Sequence, residues 1–148
     1  AAARRAARLG LIFSPAIDDP ELEHIYRKEC ERLSNWGMTI FPRKPATTFI
    51  SEDPTATWDL IGPYLLHDAI AYGAWRHSSR RAYAESFATD IEELKAEEKY
   101  RVLSPQQAIH AIESTGSLHL APLCGGVPIE VGWQSLRLFE NKVLPALT

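Results

Sequence analysis

Three times along the chain a short apolar run gives way to a helix opened by proline, and that rhythm limits the folds open to it. Leu11-Ile12-Phe13 precedes Asp19-Pro20, Thr47 to Ser51 precedes Asp53-Pro54, and Ser117 to Leu123 precedes Pro128. Asp before a helix accepts hydrogen bonds from its free N–H groups, and proline fits the first helical position because its missing N–H has no partner there anyway. The β-branched and aromatic residues of 47–51 favour a strand. A further start, Ser104-Pro105-Gln106-Gln107, has the form of a capping box.

The helices predicted after these starts carry apolar residues at helical spacing. Leu22, Ile25, Tyr26, Cys30 and Leu33 form the stripe of the first. Trp58, Ile61, Leu65, Leu66, Ala69, Tyr72 and Trp75 serve the second, which Gly62-Pro63 should kink or restart. Ile129, Trp133, Leu136, Phe139, Val143 and Leu147 serve the last. Asp90 to Tyr100 reads as a charged, solvated helix, and Met38 to Phe41 as a weak strand broken by Pro42 and Pro45. Ala1 to Arg8 is nearly pure helix former with no capping residue in front. Strands alternating with helices imply right-handed crossovers and a parallel sheet. The expectation is one α/β domain over residues 1–148.

Three or four parallel strands leave open edges, which such sheets cover. The strands therefore belong to a small open sheet, to an oligomer that pairs its edges, or to part of a (β/α)8 barrel. The uncapped first helix favours the last, with this chain as the carboxyl-terminal part.

The 148 residues carry 16 Lys+Arg against 19 Asp+Glu, a formal charge of −3, which gives no electrostatic footprint for nucleic acid. No apolar run approaches the ~18 residues of a membrane span. Cys30 and Cys124 form neither a disulfide scaffold nor a metal spacing, and free thiols in a reducing cytoplasm are the default. The five histidines show no metal-like spacing, so no metal is expected.

Cys124-Gly125-Gly126 stands at the end of an apolar run and before a helix, where glycine N–H groups can approach an anion or a flat ring. A tight turn into Pro128 explains the same glycines. Cys124 is open to two readings, a thiol activated by the helix start and a small buried hydrophobe, the second being favoured. Ser14, after Phe13, could bond a ligand oxygen or simply form a Ser-Pro turn. His67 and Asp68 are adjacent and so do not share a helix face as an acid–base dyad. Arg76, Arg80, Arg81 and Arg101 could gather around a phosphate, though pairing with nearby glutamates is the commoner use.

Several segments resemble a known family. Pro122-Leu123-Cys124-Gly125-Gly126-Val127-Pro128, Trp133 to Phe139 and Lys142 to Leu147 are similar to the carboxyl terminus of bacterial luciferase-like flavin-dependent monooxygenases. Ala2 to Gly10, Phe49 to Pro54 with Trp58, and Ser104 to Ile109 resemble the middle and later junctions of the same proteins, in the same order. The resemblance implies the last three strand–helix units of a TIM-type barrel, a fold of typically ~250 residues. It implies reduced FMN, or the deazaflavin F420, as cosubstrate and a small organic substrate oxidised at the barrel mouth. Ser14, Cys124, Gly125 and Gly126 would then border the cofactor, and Phe13 and Leu123 the substrate pocket. The family's main catalytic residues and phosphate site lie in its first half and are not carried over. A homo-oligomer or a missing amino-terminal half would cover the open edges. The rival expectation is a non-catalytic α/β interaction or structural module; a third is a small-molecule binding domain without redox chemistry.

Overall fold

The computed structural model describes residues 2–15, 17, 19–41, 47–74 and 86–147. It is a mixed α/β structure, mostly helical, with one two-stranded parallel sheet. Its contacts divide the chain into two compact units, residues 1–43 with 77–83, and residues 44–76 with 84–148.

In the first unit, α1 (Ala2–Arg8) packs on α2 (Pro20–Leu33). Ala3 and Ala7, both buried, present no bulk beyond a methyl group, so α2 can bring Tyr26 and Cys30 close to them. Asp19 caps α2 as the sequence predicts, accepting from Glu21 N–H at 3.0 Å. The predicted strands at 11–13 and 38–41 are reduced to a single parallel bridge, Phe13 to Thr39. Tyr26 fixes this bridge: its ring stacks on Phe13, with centroids 5.5 Å apart, and its hydroxyl donates to Leu11 C=O and accepts from Met38 N–H. Glu29, also buried, joins the two helices by accepting from Arg8 Nε at 2.8 Å and Arg32 Nε at 3.0 Å.

In the second unit, β1 (Thr47–Ile50) pairs in parallel with β2 (Tyr100–Leu103), Thr47 opposite Tyr100 and Ile50 opposite Leu103. The crossover between them contains α3 (Pro54–Ala74) and α4 (Ile91–Ala96); α5 (Pro105–Thr115) and α6 (Ile129–Leu138) follow β2. Every residue of β1 is buried, as expected for a parallel strand covered on both faces. Phe49, Tyr100 and Val102 meet Trp58, Ile61 and Leu65 of α3. Ile50 and Leu103, on the opposite face, join Ala108 and Ile109 of α5 and Val143 beyond α6.

Four expectations change here. The strand β2 replaces the end of a predicted charged helix. That helix stops at Ala96, Glu98 turns the backbone with φ +54°, and β1 offers Tyr100 to Leu103 a partner. Of residues 117–123, predicted as a strand, 117–121 run beside β1 without becoming one. Thr48 N–H donates to His119 C=O at 2.9 Å, but Ala121 N–H goes to the Thr47 hydroxyl, so a side chain interrupts the ladder. In a barrel whose strands pair in chain order, this stretch would instead lie beside β2. Of the two outcomes expected at Gly62-Pro63, a restart is ruled out, because α3 runs on from Pro54 to Ala74 as one helix.

The inward face of α6 differs too. Gly132 and Ser135 are buried, whereas Ile129 and Trp133 of the predicted stripe are about half exposed, at 53% and 54%. A Cβ on Gly132 would stand 2.6 Å from Pro122 C=O, so close approach of backbones outranks the apolar stripe. Ser135 Oγ accepts from Ile50 N–H at 2.7 Å.

Replacing Ser135 by Ala leaves that buried amide without an acceptor, a loss of about 1–3 kcal/mol. Urea unfolding followed by circular dichroism should show it as a lower midpoint at unchanged slope. Glu29 makes stability pH-dependent in the first unit. Hydrogen bonds from Arg32 and Arg8 pull its carboxyl from an ordinary 4.5 to about 2. The folded pKa is the depressed one, so this contribution is complete above pH 4.5 and disappears as pH falls towards 2. The difference in urea midpoint between wild type and Glu29→Gln should therefore shrink across that window.

Candidate functional site

A candidate site lies in the second unit, at the carboxyl end of β1, the end at which parallel sheets place ligands. It is a cleft of about 560 Å3 between the β1–α3 loop and α6 with the helical turn that follows. Such a volume falls within the ~300–1,000 Å3 usual for small-molecule sites. Phe49, Ile50, Val131 and Leu138 supply apolar wall, and Ser51, Glu52, Asp53, Gln134, Arg137 and Lys142 polar groups.

Local chemistry fixes the loop side. Ser51 Oγ accepts from Thr57 Oγ1 at 2.7 Å and Asp53 N–H at 3.0 Å, and Asp53 caps α3 by accepting from Ala56 N–H at 3.0 Å. Lys142 Nζ reaches Glu52 at 2.5 Å, an exposed ion pair between the two walls. Arg137 forms no ion pair among the described residues and is the cation left for a ligand. The lining holds neither histidine nor cysteine, and Ser51 Oγ is engaged by Thr57 and by Asp53 N–H. The cleft has the walls and polar groups to bind and orient a flat, partly polar molecule. A flavin ring suits the apolar wall, but one free guanidinium is a poor match for its dianionic phosphate.

The residues singled out from sequence fall elsewhere. Phe13 and Ser14 belong to the first unit, Phe13 buried against Tyr26 and Ser14 exposed. Leu123, Cys124, Gly125 and Gly126 belong to the second, where Cys124–Gly126 forms a short helical turn packed on α3. Leu123 is 64% exposed. Gly125 has φ +66°, and a Cβ there would lie 2.6 Å from Tyr64 C=O. The place of a side chain there is taken by α3 backbone, which accounts for the glycine as a turn. Gly126, at φ +74°, faces open space. Burial, reinforced by the Asp68 carboxylate, pushes the Cys124 thiol up to about 12, against a role as a thiolate nucleophile. Asp68 also accepts from Tyr100 Oη at 2.8 Å.

Of the arginines considered for phosphate, Arg76, Arg80 and Arg81 lie outside the described residues. Arg101 is in β2, and its buried Nε has no hydrogen-bond partner among the described residues. Thr48 Oγ1, opposite Arg101 in the register, is likewise buried without one. Among the described residues no group of three or more His, Cys, Asp or Glu is placed to hold a metal ion, and no helix is long and apolar enough to cross a membrane.

The cleft as a whole does not show in the sequence because its two sides lie some 80 positions apart. A signal was present. Gln134, Arg137, Leu138 and Asn141 recur at helical spacing beside the apolar stripe, and Glu52-Asp53 follows directly on a strand. No protein-family model matches the chain, nor does any curated protein or solved structure.

Gly125→Ala should lose more stability than Gly126→Ala. Both lose about 1–2 kcal/mol to a left-handed conformation, and only the first adds an overlap with Tyr64. Thermal unfolding of the two variants checks the order. Iodoacetamide should label Cys124 slowly at pH 8, with a rate that keeps rising toward pH 12; peptide mass spectrometry resolves it from Cys30.

Proposed function

We propose that the chain is the carboxyl-terminal portion of a flavin-dependent oxidoreductase of the luciferase-like kind, which uses reduced FMN or F420 on a small organic substrate. The observation that carries this reading is the cleft at the carboxyl end of β1, with apolar walls and polar groups at Ser51, Gln134 and Arg137. The ordered resemblance of the segments around it adds the family. Bound flavin would supply the electrons; the residues of this chain would seat its ring, exclude water and orient the substrate. The phosphate would need residues other than those lining the cleft.

The reading also makes a demand: barrel closure requires residues 117–121 to leave the edge of β1 and pair with β2.

A second reading is favoured by one observation in the first unit. Leu11, Ile12, Met38 and Ile40 around the Phe13–Thr39 bridge are about half exposed, at 55%, 50%, 45% and 48%. A non-catalytic α/β module would bury such residues in a partner or a second copy.

Titration with reduced FMN and F420 under anaerobic conditions, followed by absorbance, should give saturable binding that Arg137→Glu and Gln134→Leu weaken about tenfold. Absence of binding to this chain and to longer forms of the protein, with sedimentation showing a stable dimer, would replace the flavin reading by the second.

A further inference from the structure

The chain as a whole is acidic, yet four of its cations converge on one cleft in the first unit. Between α1 and α2 lies a space of about 430 Å3 lined by Arg4, Arg8, His24, Lys28, Glu29 and Arg32. The spacing puts them there. Arg4 and Arg8 are four residues apart on α1, while His24, Lys28 and Arg32 follow at the same interval on α2, so each set occupies one helix face. Like charges at this spacing destabilise a helix, and two helices presenting such faces to each other compound the repulsion.

A single carboxylate stands among them. Glu29 is buried and binds both guanidinium groups through its two oxygens, with Arg8 Nε at 2.8 Å, Arg32 Nε at 3.0 Å and an Arg32 terminal nitrogen at 3.0 Å. It therefore orients Arg8 and Arg32 while neutralising only one charge. The Arg8 terminal amino groups remain as donors, and Arg4 and Lys28 have no ion-pair partner among the described residues. Oriented guanidinium forks with excess positive charge match an oxyanion that carries several acceptors and more than one negative charge.

We infer that this cleft binds a phosphate group of a small phosphorylated metabolite, a phosphomonoester or diphosphate. A single carboxylate would leave most of the charge unanswered, whereas a phosphate brings about −1.5 to −2 and three strong acceptor oxygens. The volume suits a small molecule, and the balance of charge over the whole chain does not favour a nucleic-acid strand. In this site Arg8 and Arg32 are held by Glu29 to grip the oxyanion, and Arg4 and Lys28 complete the neutralisation from the exposed rims. The cleft lies in a different unit from that at β1, and its binding does not depend on the flavin reading.

The test is a titration of the whole chain with inorganic pyrophosphate at low ionic strength, followed by backbone amide shifts and by calorimetry. Saturable shifts confined to α1 and α2 are expected, with affinity falling steeply as salt rises. The double variant Arg4→Gln/Lys28→Gln changes only exposed side chains and should bind at least tenfold more weakly with a thermal midpoint equal to or above that of the wild type, since it relieves repulsion. Glu29→Gln should weaken binding although it removes a negative charge, because the two guanidinium groups lose their anchor; tighter binding by this variant would overturn the clamp. Absence of saturable shifts, or equal affinity in the double variant, would overturn the site. Binding of a single-stranded oligonucleotide more tightly than pyrophosphate at the same residues would replace it by a general polyanion surface.

Discussion

The second unit depends on how the amides of β1 are satisfied, because this strand is buried and its N–H groups have no access to water. They alternate between two sides. Thr47 and Ser51 donate toward β2, to Lys99 and Leu103 C=O, while Thr48 and Ile50 point the other way. On that side Thr48 finds His119 C=O and Ile50 finds the Ser135 hydroxyl. A buried amide left unpaired costs about as much as several methylene groups gain by burial. The position of α6 is therefore set as much by one serine as by its apolar residues. The same requirement draws residues 117–121 to β1, and the cleft opens where β1 ends against α6.

The first unit solves a similar problem with less strand. Two short runs that meet at one bridge cannot hold each other by backbone pairing alone. Tyr26 supplies the rest, with its ring on Phe13 and its hydroxyl shared between Leu11 and Met38. A residue that reads as one member of an apolar helical stripe thus organises a turn of chain on either side of its helix. Glu29, three positions further along and outside the predicted apolar stripe, is buried between two arginines.

These cases show what was legible in the sequence. The capped helix starts at Asp19, Asp53 and Ser104 could be read directly, because a cap is a local hydrogen bond between residues two or three apart. The strand at 47–50 was legible from its β-branched and aromatic content. The strand at 100–103 was not: Arg101 interrupts its apolar pattern, and only β1 beside it makes it a strand. For the candidate sites, the glycines of 124–126 were visible as a turn. The cleft was not, since Ser51 and Arg137 meet only after α6 has docked. The basic cleft was likewise hidden, because the two arginine-bearing faces are separated by the turn through Phe13.

The sequence by itself determined where helices begin, which short runs could become strands, and that strands and helices alternate. Those choices rest on interactions within a few residues, and the neighbouring residue types suffice to make them. Tertiary structure decided which runs pair, which face of α6 turns inward and where clefts form. Each of these rests on satisfying a buried polar group or avoiding a backbone overlap between segments far apart in the chain. Ser135 beneath Ile50, Gly132 against Pro122 and Gly125 against Tyr64 are the contacts that settle them.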